Sequence, residues 1–235
     1  MIANIGYLLL VLGAVCSALA ALLCLLSLLK KGRSFLLETR VLSGIGTIAI
    51  CSAFLLVEVL LVTNHFDYEI VFDTTSLQMN LLQKLTAVWS NKSGSLLFWS
   101  FLLSICVFLV AFGKWQGEKE PYFHGVMLLL HLFNLFFVGM VAFQVNPFAR
   151  LWQMLDGNIA AAVFAPQGAS LFLPTDGQGL NPLLKHLGMV IHPPLLYLGF
   201  ILFFIPFAFA LVSLWQKDFS FTWLSSTHTW LVLAW

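Results

Sequence analysis

The chain has 235 residues, of which 9% are charged and 60% hydrophobic, and its formal net charge is +1. A soluble domain carries about 25% charged residues, so this chain lacks the charge to cover a water-facing surface, and lipid is the solvent its composition fits. The small net charge leaves no electrostatic footprint for nucleic acid, so no nucleic-acid partner is expected; Cys16, Cys24, Cys51 and Cys106 stand singly in apolar runs with no C-x-x-C pair, which speaks against a disulfide framework or a zinc site.

A helix needs about 20 apolar residues to cross the hydrocarbon core. Five runs qualify, at about 5–29, 41–63, 95–112, 125–143 and 195–214, and a sixth opens near Thr227 and is cut off at Trp235. Lipid offers no partners to backbone polar groups, so each run is read as a helix. The expectation is an all-α polytopic membrane protein, a single transmembrane domain over 1–235 with five transmembrane helices and a truncated sixth. The first run lacks a basic leader and is too long for the core of a signal peptide.

Orientation follows from the basic residues. Lys30, Lys31, Arg33, Arg40, Lys114, Lys119 and Lys217 fall in short loops on one side, whereas Lys84, Lys92, Arg150 and Lys185 are spread through long loops on the other. Lys and Arg are retained on the cytoplasmic side, so the N-terminus and the long loops, about 64–94 and 144–191, face outward. The expected site is a bacterial inner membrane with periplasmic loops, or the mitochondrial equivalent. Trp99 and Trp115 bracket the third run and suit interfacial positions; Trp89, Trp152, Trp215 and Trp223 fit the same aromatic belt.

In the first outer loop, residues 66–73 alternate well enough for a short strand. Leu77, Leu81, Leu82, Leu85, Val88 and Trp89 then form one face of an amphipathic helix suited to the outer interface. The second loop is rich in Gly, Pro and Asn and is expected to be irregular, with short helical turns.

Among candidate functional residues His192 comes first, in Met189-Val190-Ile191-His192-Pro193-Pro194-Leu195-Leu196-Tyr197. Two prolines before an apolar run suit a helix start, and a residue before proline is pushed out of the α region. His192 is therefore expected just above the fifth span, fixed in direction at the outer surface. An imidazole there suits axial ligation of a haem iron; an interfacial histidine bonded to a loop carbonyl is the commoner outcome for such a spacing and stays open. His124 and His131 are seven apart and share a face of the fourth span. His131 reads as an inter-helix hydrogen bond, because no other histidine lies at its depth; a haem b or quinone subunit of a respiratory complex is the alternative. Glu58, the acid inside the second span, reads as a structural pair with a group such as Arg150 or as a proton relay. Pro206 could break the fifth helix as transporters require, but no ionisable residue accompanies it. A scaffold with no ligand is a further reading.

Three stretches carry a resemblance. They are Lys84–Trp99, with Trp89-Ser90-Asn91-Lys92-Ser93-Gly94-Ser95 at its heart; Asn146-Pro147-Phe148-Ala149-Arg150-Leu151; and Asp176–Leu184 continuing through Gly188–Phe200 to Pro206-Phe207-Ala208-Phe209-Ala210. Together they resemble the CcmF/NrfE-type haem lyase subunits of cytochrome c maturation over about 84–214. The resemblance implies that haem b is a substrate, taken from a periplasmic haem chaperone and offered to an apocytochrome c with a C-x-x-C-H site, with thiol-handling maturation subunits as further partners. It makes His192 one of two external haem-iron ligands and places Trp89 and Asn91 at motif positions with no assigned role, weak candidates for cofactor contact. The family's Trp-rich haem-binding motif and its remaining histidines are not among these residues. A split-gene product or a fragment is therefore expected, completed by a second polypeptide, with lyase activity belonging only to the complete assembly and haem binding weak in the isolated chain.

Overall fold

The structure, a computed structural model, describes residues 2–29, 34–114, 120–218, 220 and 222–235. Lys30, Lys31, Arg33, Trp115 and Lys119, used above for orientation, lie outside the described residues, as does the side chain of Lys185. Five helices are long and apolar enough to cross a membrane: α1 (Ile2–Leu29), α2 (Leu36–Val62), α5 (Lys92–Phe112), α6 (Glu120–Phe143) and α7 (Leu187–Gln216). Between them stand the short helices α3 (Glu69–Thr74) and α4 (Leu81–Thr86), and α8 (Thr222–Ala234) follows α7. The chain is thus mostly helical and polytopic.

The bundle is built around α1, α2, α5 and α6, with α7 on one side against α5 and α6 and α8 alongside α7. Lipid supplies no hydrophobic drive for helices to associate, so close packing and buried hydrogen bonds must do it. Gly13 and Gly46 let α1 and α2 approach: a Cβ on Gly13 would stand 2.6 Å from Ile50, and one on Gly46 3.1 Å from Cys16 Cβ. Asn134 of α6 then ties three helices, donating to Ser17 Oγ of α1 at 3.0 Å and accepting from Ser104 Oγ of α5 at 3.1 Å. Cys16, Cys24 and Cys106 are buried and all four cysteines are free, as small apolar packing residues would be.

The two long loops, about 64–94 and 144–191, fold together into one cap at one end of the bundle. Leu151 N–H donates to the Asp67 carbonyl and Glu69 N–H to that of Ala149, and Tyr68 and Arg150 form a bridge. The end of α3 is closed by the second loop, because Gln178 N–H donates to Phe72 O and Gly179 N–H to Thr75 O. Orphan carbonyls at a helix end need such partners. Phe148 plugs the cap from below; it is fully buried, against Gly6 of α1.

Sequence expectations are corrected in several places. Residues 66–73 are not a strand: alternation holds for Phe66, Tyr68 and Ile70, but Val71 and Thr74 are buried too, which is the pattern of a helix face, and α3 begins at Glu69. The amphipathic stretch is two pieces, because a capping box between Asn80 and Gln83 starts α4 only at Leu81, and a 3₁₀ turn at Ala87–Ser90 follows it. Leu77, Leu81, Leu82 and Leu85 are exposed, but Val88 of the same expected face is fully buried and Trp89 packs against the core. The second loop holds a three-stranded antiparallel sheet in the order β2-β1-β3 (Ile159–Ala162, Arg150–Gln153, Ser170–Leu171), with Trp152 opposite Ala160 and Leu171. Its strands are too short for their alternation to be read. Trp99 lies within α5, half-buried, and packs on Phe137, Tyr197 and Phe200. Pro206, finally, sits in an unbroken α7.

Candidate functional site

The helix bearing His192 starts earlier than its prolines suggest. Asn181 caps a 3₁₀ turn at Pro182–Lys185, and His186 then caps α7, its Nδ1 accepting from Gly188 N–H at 3.0 Å. With the N-terminus set at Leu187, His192 falls in the second turn, and Pro193 and Pro194 lie inside the helix. This corrects the expectation that the prolines open the helix and that His192 lies outside it. Pro193 has no N–H to give the carbonyl four residues back, that of Met189. Trp89 supplies the missing donor, its indole N–H reaching Met189 O at 3.2 Å.

His192 is exposed and stands at the outer end of a groove of about 320 Å³. Leu195, Leu196, Gly199 and Phe203 continue its face at spacings of three, four, seven and eleven residues. Phe200 and the end of α8, Ala234 and Trp235, complete the wall. A Cβ on Gly199 would come 3.2 Å from Ala234 O, so glycine sets the depth there. The groove offers apolar contact along its length and one ring nitrogen at its rim. Among the described residues no group of three or more His, Cys, Asp or Glu could cage a bare metal ion. A lone imidazole suits a metal that arrives with most of its coordination already filled, as the iron of a porphyrin does.

The other weak candidates are not in this groove. Trp89 lies on a different side of α7, where it lines a cavity of about 110 Å³ with Met189, Pro193 and Tyr197. Asn91 caps α5, its Oδ1 accepting from Ser93 N–H at 2.8 Å and from Ser93 Oγ at 2.9 Å. The rest of that motif is structural as well. Ser95 Oγ holds the Trp89 carbonyl at 2.8 Å, and a Cβ on Gly94 would overlap the Val88 carbonyl. Asn146 accepts from Phe148 N–H, and Asp176 accepts from Leu77 N–H at 2.8 Å, clasping one outer loop to the other. The groove itself carried a signal in sequence, the spacing from His192 to Phe203, but α7 is apolar all round and no face stands out.

Inside the bundle, His131 is buried and its Nε2 lies 2.9 Å from Ser43 Oγ of α2, the inter-helix bond expected. His124 Nε2 meets Ser34 Oγ at 3.1 Å. Glu58 and Arg150 form no ion pair among the described residues: Glu58 Oε2 and Arg150 Nε are both without hydrogen-bond partners, and the Arg150 guanidinium lies 4.7 Å over the Trp152 ring. A second, more polar cavity of about 500 Å³ opens in the outer cap, lined by Glu69, Asp73, Asn91, Lys92 and Gln144 among others. Burial raises the Glu69 carboxyl above its usual range, with the Asp73 charge adding to the rise and Lys92 opposing it; burial likewise raises Asp73.

A family model described as Cytochrome C assembly protein matches residues 89–235. Cytochrome c-type biogenesis protein NrfE of Haemophilus influenzae is 28% identical over 236 residues, covering 100% of this chain and 34% of its own length. Cytochrome c-type biogenesis protein CcmF of the same organism is 30% identical over 176 residues, 75% of this chain and 24% of the relative, and CycK of Rhizobium meliloti is 31% identical over 175 residues, 74% and 23%. The chain thus spans about a quarter to a third of these relatives. A solved Cytochrome c Heme Lyase CcmF shares the fold, with a TM-score of 0.78 at 24% identity over 100% of this chain and 34% of that one.

Proposed function

This chain belongs to the cytochrome c assembly protein family, and on that premise we propose that its outward face serves cytochrome c maturation by holding haem b at His192 while the haem is attached to an apocytochrome. The observation that carries this is the groove: an exposed imidazole at the rim of an apolar wall formed by one face of α7 and the end of α8. Haem is the substrate. Its apolar ring lies against Leu195 and Leu196, one turn along α7, and its iron takes the His192 nitrogen. One histidine fills one axial position, so a second ligand, and an aromatic surface for the rest of the ring, come from outside these residues.

The chemistry is addition. Each cysteine S–H of a C-x-x-C-H site adds across a vinyl C=C of the porphyrin, forming one S–C bond and one C–H bond with nothing released. The porphyrin brings the reactive groups, and the membrane subunit contributes position, turning an encounter between separate molecules into a local one. A periplasmic haem chaperone delivers the haem, and thiol-handling maturation subunits keep the cysteines reduced. The long loops face the periplasm of a bacterial inner membrane, or the equivalent mitochondrial compartment.

The test is a titration of the detergent-purified chain with ferric haem, followed by its visible spectrum, with free imidazole as the second axial ligand. A low-spin bis-nitrogen spectrum is expected, weakened at least about tenfold by His192→Ala and unchanged by His131→Ala. A spectrum that survives His192→Ala and vanishes with His131→Ala overturns the proposal in favour of a mid-membrane haem.

A further inference from the structure

Trp89 lies outside the haem groove, yet its indole N–H is bound to the backbone of the helix turn that carries His192. An α-helical carbonyl ordinarily accepts from the N–H four residues on. Pro193 has no N–H, and its ring crowds the Met189 carbonyl that would have been its partner. That carbonyl therefore depends on a donor from elsewhere, and Trp89 Nε1 lies 3.2 Å from it. The bond links positions 100 residues apart in the chain.

Trp89 is itself well anchored. Its carbonyl accepts from Ser95 Oγ at 2.8 Å, and its ring packs on Phe98 at 5.6 Å. Asn91 caps α5 two residues later, so the indole is referenced to the start of a membrane-spanning helix. Met189 stands one turn before Pro193 and three residues before His192, and its N–H is in turn fixed to the His186 carbonyl at 2.8 Å. A proline-weakened turn with an unmet carbonyl would tilt freely. With the indole in place it has one direction.

We infer that Trp89 is a positioning residue for haem: it clamps the proline-opened turn of α7 and so fixes the direction in which His192 presents its imidazole. The inference rests on the haem reading above. It assigns no contact between Trp89 and haem. The part that acts is the indole N–H, which a phenylalanine ring lacks.

The experiment is a double-mutant cycle between Trp89→Phe and Pro193→Ala in the full chain. Two readouts are taken: the ferric haem titration with free imidazole, and amide hydrogen exchange of residues 187–192. Pro193→Ala restores an N–H to bond Met189 O within the helix, which makes the indole donor redundant. In the native background Trp89→Phe is expected to weaken haem binding roughly fivefold, the effect of one hydrogen bond, and to speed exchange in this turn. In the Pro193→Ala background the same change is expected to cost less than about twofold. A tryptophan that merely fills space would cost the same in both. Equal costs in the two backgrounds, or none in the native one, with His192→Ala still weakening binding at least about tenfold, overturn the clamp alone. Haem binding that His192→Ala leaves unweakened overturns the haem reading and with it the purpose of the clamp, while the exchange data still report whether the turn is held by the indole.

Discussion

His131 of α6 and Ser43 of α2 meet at 2.9 Å between Nε2 and Oγ in the interior of the bundle. The direction of this bond can be deduced. Ser43 Oγ also lies 2.7 Å from the Thr39 carbonyl, which can only accept, so the one hydroxyl proton is used there. The imidazole must then donate from Nε2, which leaves Nδ1 as a bare acceptor, and Nδ1 is indeed buried without a partner.

Removing one side of this pair is expected to cost more than removing both. Ser43→Ala strands a buried N–H and should lower stability by about 1 kcal/mol, since hydrogen bonds within membranes are worth about that or somewhat less. Adding His131→Leu should recover most of it, because nothing polar is then left unmet. Reversible unfolding in mixed detergent micelles reads both values. A double variant as unstable as the sum of the singles would show that the two side chains are not coupled.

Glycine substitutions in two helices should diverge sharply. A Cβ on Gly94 would overlap the Val88 carbonyl, with Ile70 Cδ1 at 3.0 Å, and the 3₁₀ turn before α5 offers no room to retreat. Gly94→Ala is expected to cost about 3 kcal/mol, the upper end for overpacking. A Cβ on Gly139 of α6 would meet nothing within 4 Å. Gly139→Ala should be neutral or stabilising by up to about 1 kcal/mol, from helix propensity. The apparent melting temperatures of the two variants in detergent make the comparison, and similar values would refute the close approach at Gly94.

The contrast between these glycines shows what could be read in the sequence. The spans were legible because lipid imposes a length and an apolarity that no other element shares. Their ends were not: α7 begins at Leu187 because His186 caps it, and a histidine cap followed by prolines reads as a loop. Strand β2 was hidden because Ile159-Ala160-Ala161-Ala162 has no alternation to detect. His192 stood out by its neighbours, and the structure puts it on the rim of a groove. The roles of Trp89, Gly94 and Asp176 were invisible because each acts on a partner fixed only by the tertiary fold. Met189 is 100 residues from Trp89, and Leu77 is 99 from Asp176.

The polar cavity of the outer cap should make stability depend on pH. Glu69 and Asp73 both have carboxyls raised above their usual ranges, chiefly by burial, and for Glu69 also by Asp73. A raised carboxyl means the folded state holds protons that the unfolded state has released. Stability from these groups is therefore present at low pH and lost as pH rises from the unfolded pKa through the raised one. Both carboxyls are partly desolvated, with Lys92 as the counter-charge acting on Glu69. Glu69→Gln or Asp73→Asn is expected to raise the melting temperature of the detergent-solubilised chain at pH 7, and to raise it less as the pH falls toward 4. The difference between the two pH values is the quantity to measure. If either variant lowers stability more at pH 7 than at pH 4, the carboxylates are held by favourable contacts in the charged form, and burial is not what governs them.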